Sequence, residues 1–239
     1  MALKVNTDLD DYWIEQYRDS DTQSEPALQI ETIEGIEPLD AQFGVLDAKT
    51  VPDALYEPLF GQPEPTEDDL ERAGDDPAKV PPLHTYAILD AAKVAGLPEL
   101  LAASGLEHRC LFMGDALEEL ADVAPWIVRL EESGSFTRNL FTRSDAPWHL
   151  WREEPGIYLR SSVSLEGLQK HFRKFTKLYS AETNSWRFFR FYTPEVARTV
   201  VAGFDERQFA LFGMGIELIA CPARKGDYCI LRPSIPREN

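Results

Sequence analysis

Cysteine is scarce. The 239 residues hold three, Cys110, Cys221 and Cys229. An odd count without C-x-x-C spacing is neither a disulfide framework nor a zinc site, so buried free thiols are expected. Long apolar runs are also missing. No stretch approaches the ~18 continuous apolar residues of a membrane span, so no membrane contact is expected. The opening MALKVNTDLDDYW carries acids early and no apolar run, so no secretory signal is read there. A soluble, cytoplasmic protein is the expectation.

Several chemical signatures are absent too. There is no G-x-S-x-G elbow and no P-loop. The GMG at 213–215 lacks the later glycine and preceding strand of a dinucleotide site. The histidines, His84, His108, His149 and His171, are scattered without ligand spacing. No catalytic residue, cofactor or metal ligand is therefore assigned, and the protein is read as not an enzyme. A site built from dispersed carboxylates stays open as an alternative, because sequence cannot show which side chains converge.

Positive charge is short overall, and net charge is −17. The imbalance is local. Residues 1–80 hold 21 acids and 5 bases, whereas residues 81–239 hold 20 acids and 19 bases. Such acidity argues against general nucleic-acid binding, which draws most of its affinity from phosphate contacts.

Residues 1–82 read as an acidic N-terminal extension that ends in a Pro- and acid-rich linker. Within it, Tyr12, Trp13, Ile14 and Tyr17 suit one short amphipathic turn, and Phe43–Ala48 suits a short strand. Ala54, Leu55, Leu59 and Phe60 suit a short helix broken at Pro58, and Thr66 with Asp69 suits a helix cap. Residues 83–239 read as the main domain. Strands are expected at 86–91, 108–113, 126–130, 156–161 and 186–192, alternating with helices. Asp115 with Glu118 reads as a capping box. Thr193-Pro194 opens one late helix, and Asp205 with Gln208 caps the next. A hairpin around Lys225–Gly226 closes the chain. The alternation predicts an α/β fold: a mixed, largely parallel sheet with flanking helices and a helical C-terminal part.

SLEGLQKHFRKFTKLY (164–179) is predicted to be one helix with two opposite stripes. Leu165, Leu168, Phe172, Phe175 and Tyr179 fall on one face, which is core. Lys170, Arg173, Lys174 and Lys177 fall opposite, as a solvated or anion-facing surface. RFFRFYTP (187–194) interleaves arginine with aromatics. Its parity puts aromatics on both faces, and it lacks the glycines of an RNA-binding strand. It therefore reads as a covered central strand, with Asp90 as partner for Arg190.

The same stretches carry a family resemblance. YAILDAA (86–92), LPELLAASGLEHRCLF, ELADVAPWIVRLE, PGIYLRSSVSLEGLQKHFRKFTKL and FFRFYTPEVARTVVAGFDERQFALFG occur in order over 83–213. Together they resemble the domain-of-unknown-function family 4123. Thr193 stands where that family more often has aspartate, and the acidic leader lies outside the resemblance. The resemblance implies an adaptor, or chaperone, of bacterial type VI secretion. Such a protein binds a toxic effector in the cytoplasm and helps load it onto its VgrG spike protein. Partner contacts are then expected at Lys170, Arg173, Lys174 and Lys177 and at the aromatics Phe136, Trp148 and Trp151. An acidic leader lying over the basic face would shield it. The alternative is nucleic-acid binding through that face and Arg187.

Overall fold

The computed structural model describes residues 27–180 and 185–234. Its centre is a seven-stranded sheet in the order β1-β9-β8-β5-β2-β4-β3. The strands are β1 Leu28–Ile33, β2 His84–Asp90, β3 His108–Cys110, β4 Pro125–Leu130, β5 Gly156–Ser161, β8 Leu218–Pro222 and β9 Tyr228–Pro233. A separate two-stranded ribbon pairs β6 Lys177–Ser180 with β7 Ser185–Phe188. The helices, in chain order, are α1 Asp53–Phe60, α2 Glu67–Arg72, α3 Leu97–Ser104 and α4 Asp115–Leu120. They continue as α5 Ser135–Phe141, α6 Leu165–Phe172, α7 Pro194–Thr199 and α8 Glu206–Phe212.

The sheet is not largely parallel, as the alternation predicted: every ladder between these strands is antiparallel. The reason lies in the order. β2 and β3 run the same way, but β4 lies between them and pairs with both. β4 and β5 also run the same way, with β2 between them. The crossovers through α3 and α5 thus join strands of like direction, each with another strand interleaved. α4 instead joins the adjacent, antiparallel β3 and β4. Alternation in sequence fixes neither the neighbour nor its direction.

Strand parity divides the interior into two layers. Tyr86 and Ile88 of β2 join Ile127, Ile157, Leu159 and Ile219 on one face. Leu168 and Phe172 of α6, Ala197 of α7, and Phe209 and Phe212 of α8 cover that face. Ala87 and Leu89 join Val128, Tyr158, Ala220 and Ile230 on the other, under α1, α3 and α5. Residues read as part of the acidic extension enter both the sheet and this second layer. β1 forms one edge against β9, and Leu55 and Leu59 of α1 are fully buried. The cluster at Tyr12–Tyr17 lies outside the described residues.

Arg160 of β5 fixes α1 in place. Only 3 % exposed, it donates to the carbonyls of Leu59 and Gly61 and to Thr85 Oγ1. These are carbonyls left over at the helix C-terminus, where a cation also suits the dipole. Burial lowers the Arg160 pKa from its ordinary value, and the Glu57 charge opposes that shift.

Three local expectations fail. Residues 43–48 form turns rather than a strand, leaving Phe43 93 % and Leu46 100 % exposed. Gln42 and Gly44 both take positive φ there, and the Gln42 side-chain amide brackets the backbone of Lys49. Asp115 is the first residue of α4 rather than its cap, which is Gly114 with φ +59°. The 164–178 helix is also shorter than predicted. α6 ends at Phe172, a 3-10 turn spans Arg173–Phe175, and β6 begins at Lys177.

Candidate functional site

Where α6 gives way to the ribbon, the surface opens into a groove of about 220 Å³. Three segments build it. After β3 the chain runs through Leu111, Phe112 and Met113, then turns at Gly114 into α4. Leu111 and Phe112 are buried and form the floor, while Met113 is 52 % exposed at the mouth. Ala116 and Leu120 of α4 make one wall. The 3-10 turn after α6 delivers Arg173, then Thr176 and Lys177, and β7 delivers Phe188.

Contacts among these side chains set its character. The Phe112 and Phe188 rings approach to 5.7 Å between centroids. The Lys177 ammonium stands 5.3 Å from the Phe188 ring centroid. An exposed cation–π contact of this kind contributes about 0.5–1 kcal/mol. The Arg173 guanidinium lies against the Met113 sulfur. Among the described residues the lining is therefore mainly apolar, with two cations, the Thr176 hydroxyl and no carboxylate.

The basic residues named from the sequence part company here. Arg173 and Lys177 line the groove. Lys170 instead pairs with Glu166 one turn back, at 2.6 Å between Nζ and Oε1. Lys174 is exposed beside them but does not line the groove. The aromatics go elsewhere. Phe136 is core, in the layer under α5. Trp151 packs on Tyr228 with ring centroids 5.9 Å apart, and Trp148 is half-exposed. None of the three reaches the groove. Phe112, Met113, Leu120 and Phe188 went unmarked, because their meeting depends on β7 folding back over the end of β3.

That fold-back corrects the reading of 186–192 as a covered central strand. β7 stops at Phe188, which is 56 % exposed, and Trp186 is 48 % exposed. Phe189 N–H donates to the Thr176 carbonyl and ends the ladder. Phe191 and Tyr192 then drop into the core, 0 % and 4 % exposed, before Pro194 starts α7.

Arg190 sits at this bend and reaches Asp90. It donates to Asp90 Oδ2, while Oδ1 accepts from Ala92 N–H at 3.1 Å. Burial lowers the Arg190 pKa, but the bond to Asp90 and its charge outweigh that and hold it above the ordinary value. Burial, then the Asp90 charge, pushes the neighbouring Tyr192 hydroxyl up to about 12. The pair ties the end of β7 to the end of β2, two residues beyond Phe188.

A family model, Domain of unknown function (DUF4123), matches residues 85–211, more than half of the chain. The chain belongs to this family. Comparison with the curated proteins and with the solved structures gives no match. Every described residue lining the groove lies inside the DUF4123 span, as do Asp90 and Arg190. β1, α1, β8 and β9 lie outside it, so this chain completes the sheet with segments beyond the family-matched region. Among the described residues, no group of three or more His, Cys, Asp or Glu side chains is placed to hold a metal ion. No described helix is long and apolar enough to cross a membrane.

Proposed function

We propose that this DUF4123 protein is a cytoplasmic adaptor, not an enzyme, that binds a type VI secretion effector and helps load it onto its VgrG spike protein. Family membership supports the class. The groove is the observation that carries the reading to this chain. Its lining offers an apolar floor, a mobile thioether and two cations, which is equipment for recognition. Aromatic and arginine side chains are also the commonest anchors of protein interfaces.

Co-expression tests the reading. The chain, tagged, is produced with the effector and spike encoded beside it, and the expected result is a stable complex on gel filtration. Failure to co-purify with either, when both are soluble, rejects the adaptor role.

A further inference from the structure

We infer that the groove takes an acidic amphipathic segment of the partner protein. A bulky apolar side chain would sit against Phe112 and Phe188, with carboxylates on Arg173 and Lys177. The inference rests on the adaptor reading and names the chemistry its partner presents.

Size comes first. At about 220 Å³ the space is smaller than the roughly 300–1,000 Å³ of ordinary small-molecule pockets. It suits an inserted side chain rather than a cofactor. The walls choose an apolar one: Phe112 and Phe188 form an aromatic seat, and Met113 adapts its shape at the mouth. Exposed large apolar side chains gathered around a concavity mark interaction surfaces.

Charge comes second. Arg173 and Lys177 rest on Met113 and Phe188, and among the described residues no carboxylate lines the groove. Two cations held by soft apolar contacts are ready to accept carboxylates in charge-assisted hydrogen bonds. A nucleic acid fits less well. Two cations offer few phosphate contacts. A helix with apolar anchors on one face and acids beside them matches both features.

Residues 8–15 of this chain, DLDDYWIE, have similar chemistry, so the test separates them from a partner. The probe is a fluorescein-labelled 14-residue peptide with Leu and Trp on one helical face and Glu beside them. A second peptide replaces each Glu with Lys. Binding to the full chain is read by anisotropy. The acidic peptide is expected to bind at least tenfold tighter than its Lys counterpart, and more weakly as salt rises. Combined R173E and K177E is expected to weaken it at least tenfold while lowering the melting temperature by no more than the ~2–4 °C that loss of the cation–π contact implies. Phe188→Ala, at an exposed site, provides a second variant that keeps the charge. Equal affinity for both peptides, or indifference to both variants, overturns the inference. So does a tenfold gain in affinity on changing Asp8, Asp10 and Asp11 to Asn, which would make the chain's own residues the occupant. A groove-dependent dimer in sedimentation would assign the site to a second copy and overturn it too. The co-expressed effector distinguishes the two levels. A complex that survives R173E/K177E undiminished sinks the groove assignment alone. Peptide binding at the groove without any effector complex sinks the adaptor reading alone.

Discussion

Arg190 donates to Asp90 across 100 residues of sequence, and the two ends of the bond differ in solvent. The Asp90 side chain is fully buried, while that of Arg190 is 47 % exposed. The carboxylate depends on this partner and on Ala92 N–H. Arg190→Ala should therefore cost about 1.5–3 kcal/mol in urea unfolding, the value of a charge-assisted bond to a buried group. Arg190→Lys should recover part of it. A loss below about 0.5 kcal/mol for the alanine variant would show that water replaces the guanidinium without penalty.

Arg160 makes a stronger claim, because it is buried and bonds two helix-end carbonyls. Arg160→Met keeps the volume but leaves the Leu59 and Gly61 carbonyls without that donor. The expected cost is on the order of 3 kcal/mol. Hydrogen exchange should speed up first in α1, which the side chain pins. Lysine should not substitute well, since it lacks the planar fork that reaches both carbonyls.

His171 sets a pH response. Its Nε2–H donates to the Phe212 carbonyl at 2.8 Å, which fixes a neutral tautomer. Burial lowers its pKa below the ordinary value of about 6.5, and the backbone bond only partly opposes that. The unfolded chain thus takes up the proton first as pH falls. The stabilising effect of neutral burial is full above about pH 6.5 and declines as pH drops from there toward the lower folded value. Melting temperature should fall from pH 7 to pH 5, and His171→Gln should flatten that part of the profile. An identical slope in the variant would assign the response to other groups, including His84 and His149, which burial also lowers.

The three thiols are buried and free. Burial pushes the Cys110 thiol up to about 11. The hydrogen bond with Cys229, and then burial, raises Cys221, while the same bond lowers Cys229 against the effect of burial. Iodoacetamide at pH 8 should leave Cys110 and Cys221 unlabelled in the folded protein within minutes and label all three thiols in urea, as read by peptide mass. Fast labelling of Cys110 or Cys221 in the folded state would show that its strand opens.

Much of the frame can be read from the sequence where one residue decides one local event. Thr66 with Asp69 and Asp205 with Gln208 form their capping boxes, and Gly105 ends α3 in the left-handed region. The terminal hairpin forms as β8 and β9. Strand order cannot be read this way, because the choice of neighbour for β2 is made by packing far along the chain. The groove was half visible. Arg173 and Lys177 stand out as charges on an apolar background. Phe188 looked like core because its parity was read through a single unbroken strand. The ladder ends where Phe189 N–H turns to the Thr176 carbonyl and Arg190 reaches Asp90; the sequence pairs Arg190 with Asp90 but does not show that the strand stops short of them. Lys170 shows the reverse case: a conspicuous charge already satisfied by Glu166.

The pairing of β1 with β9 governs how the protein can be made. Leu28 lies opposite Pro233, and among the described residues β1 has no other ladder partner. A growing chain must carry β1 unpaired through the synthesis of the other described strands. The β1 edge is added only when β9 arrives, and such late, long-range pairing is slow and leaves a strand edge open to other chains. For a protein whose proposed work is to hold another polypeptide, the earliest risk it meets is of being held itself.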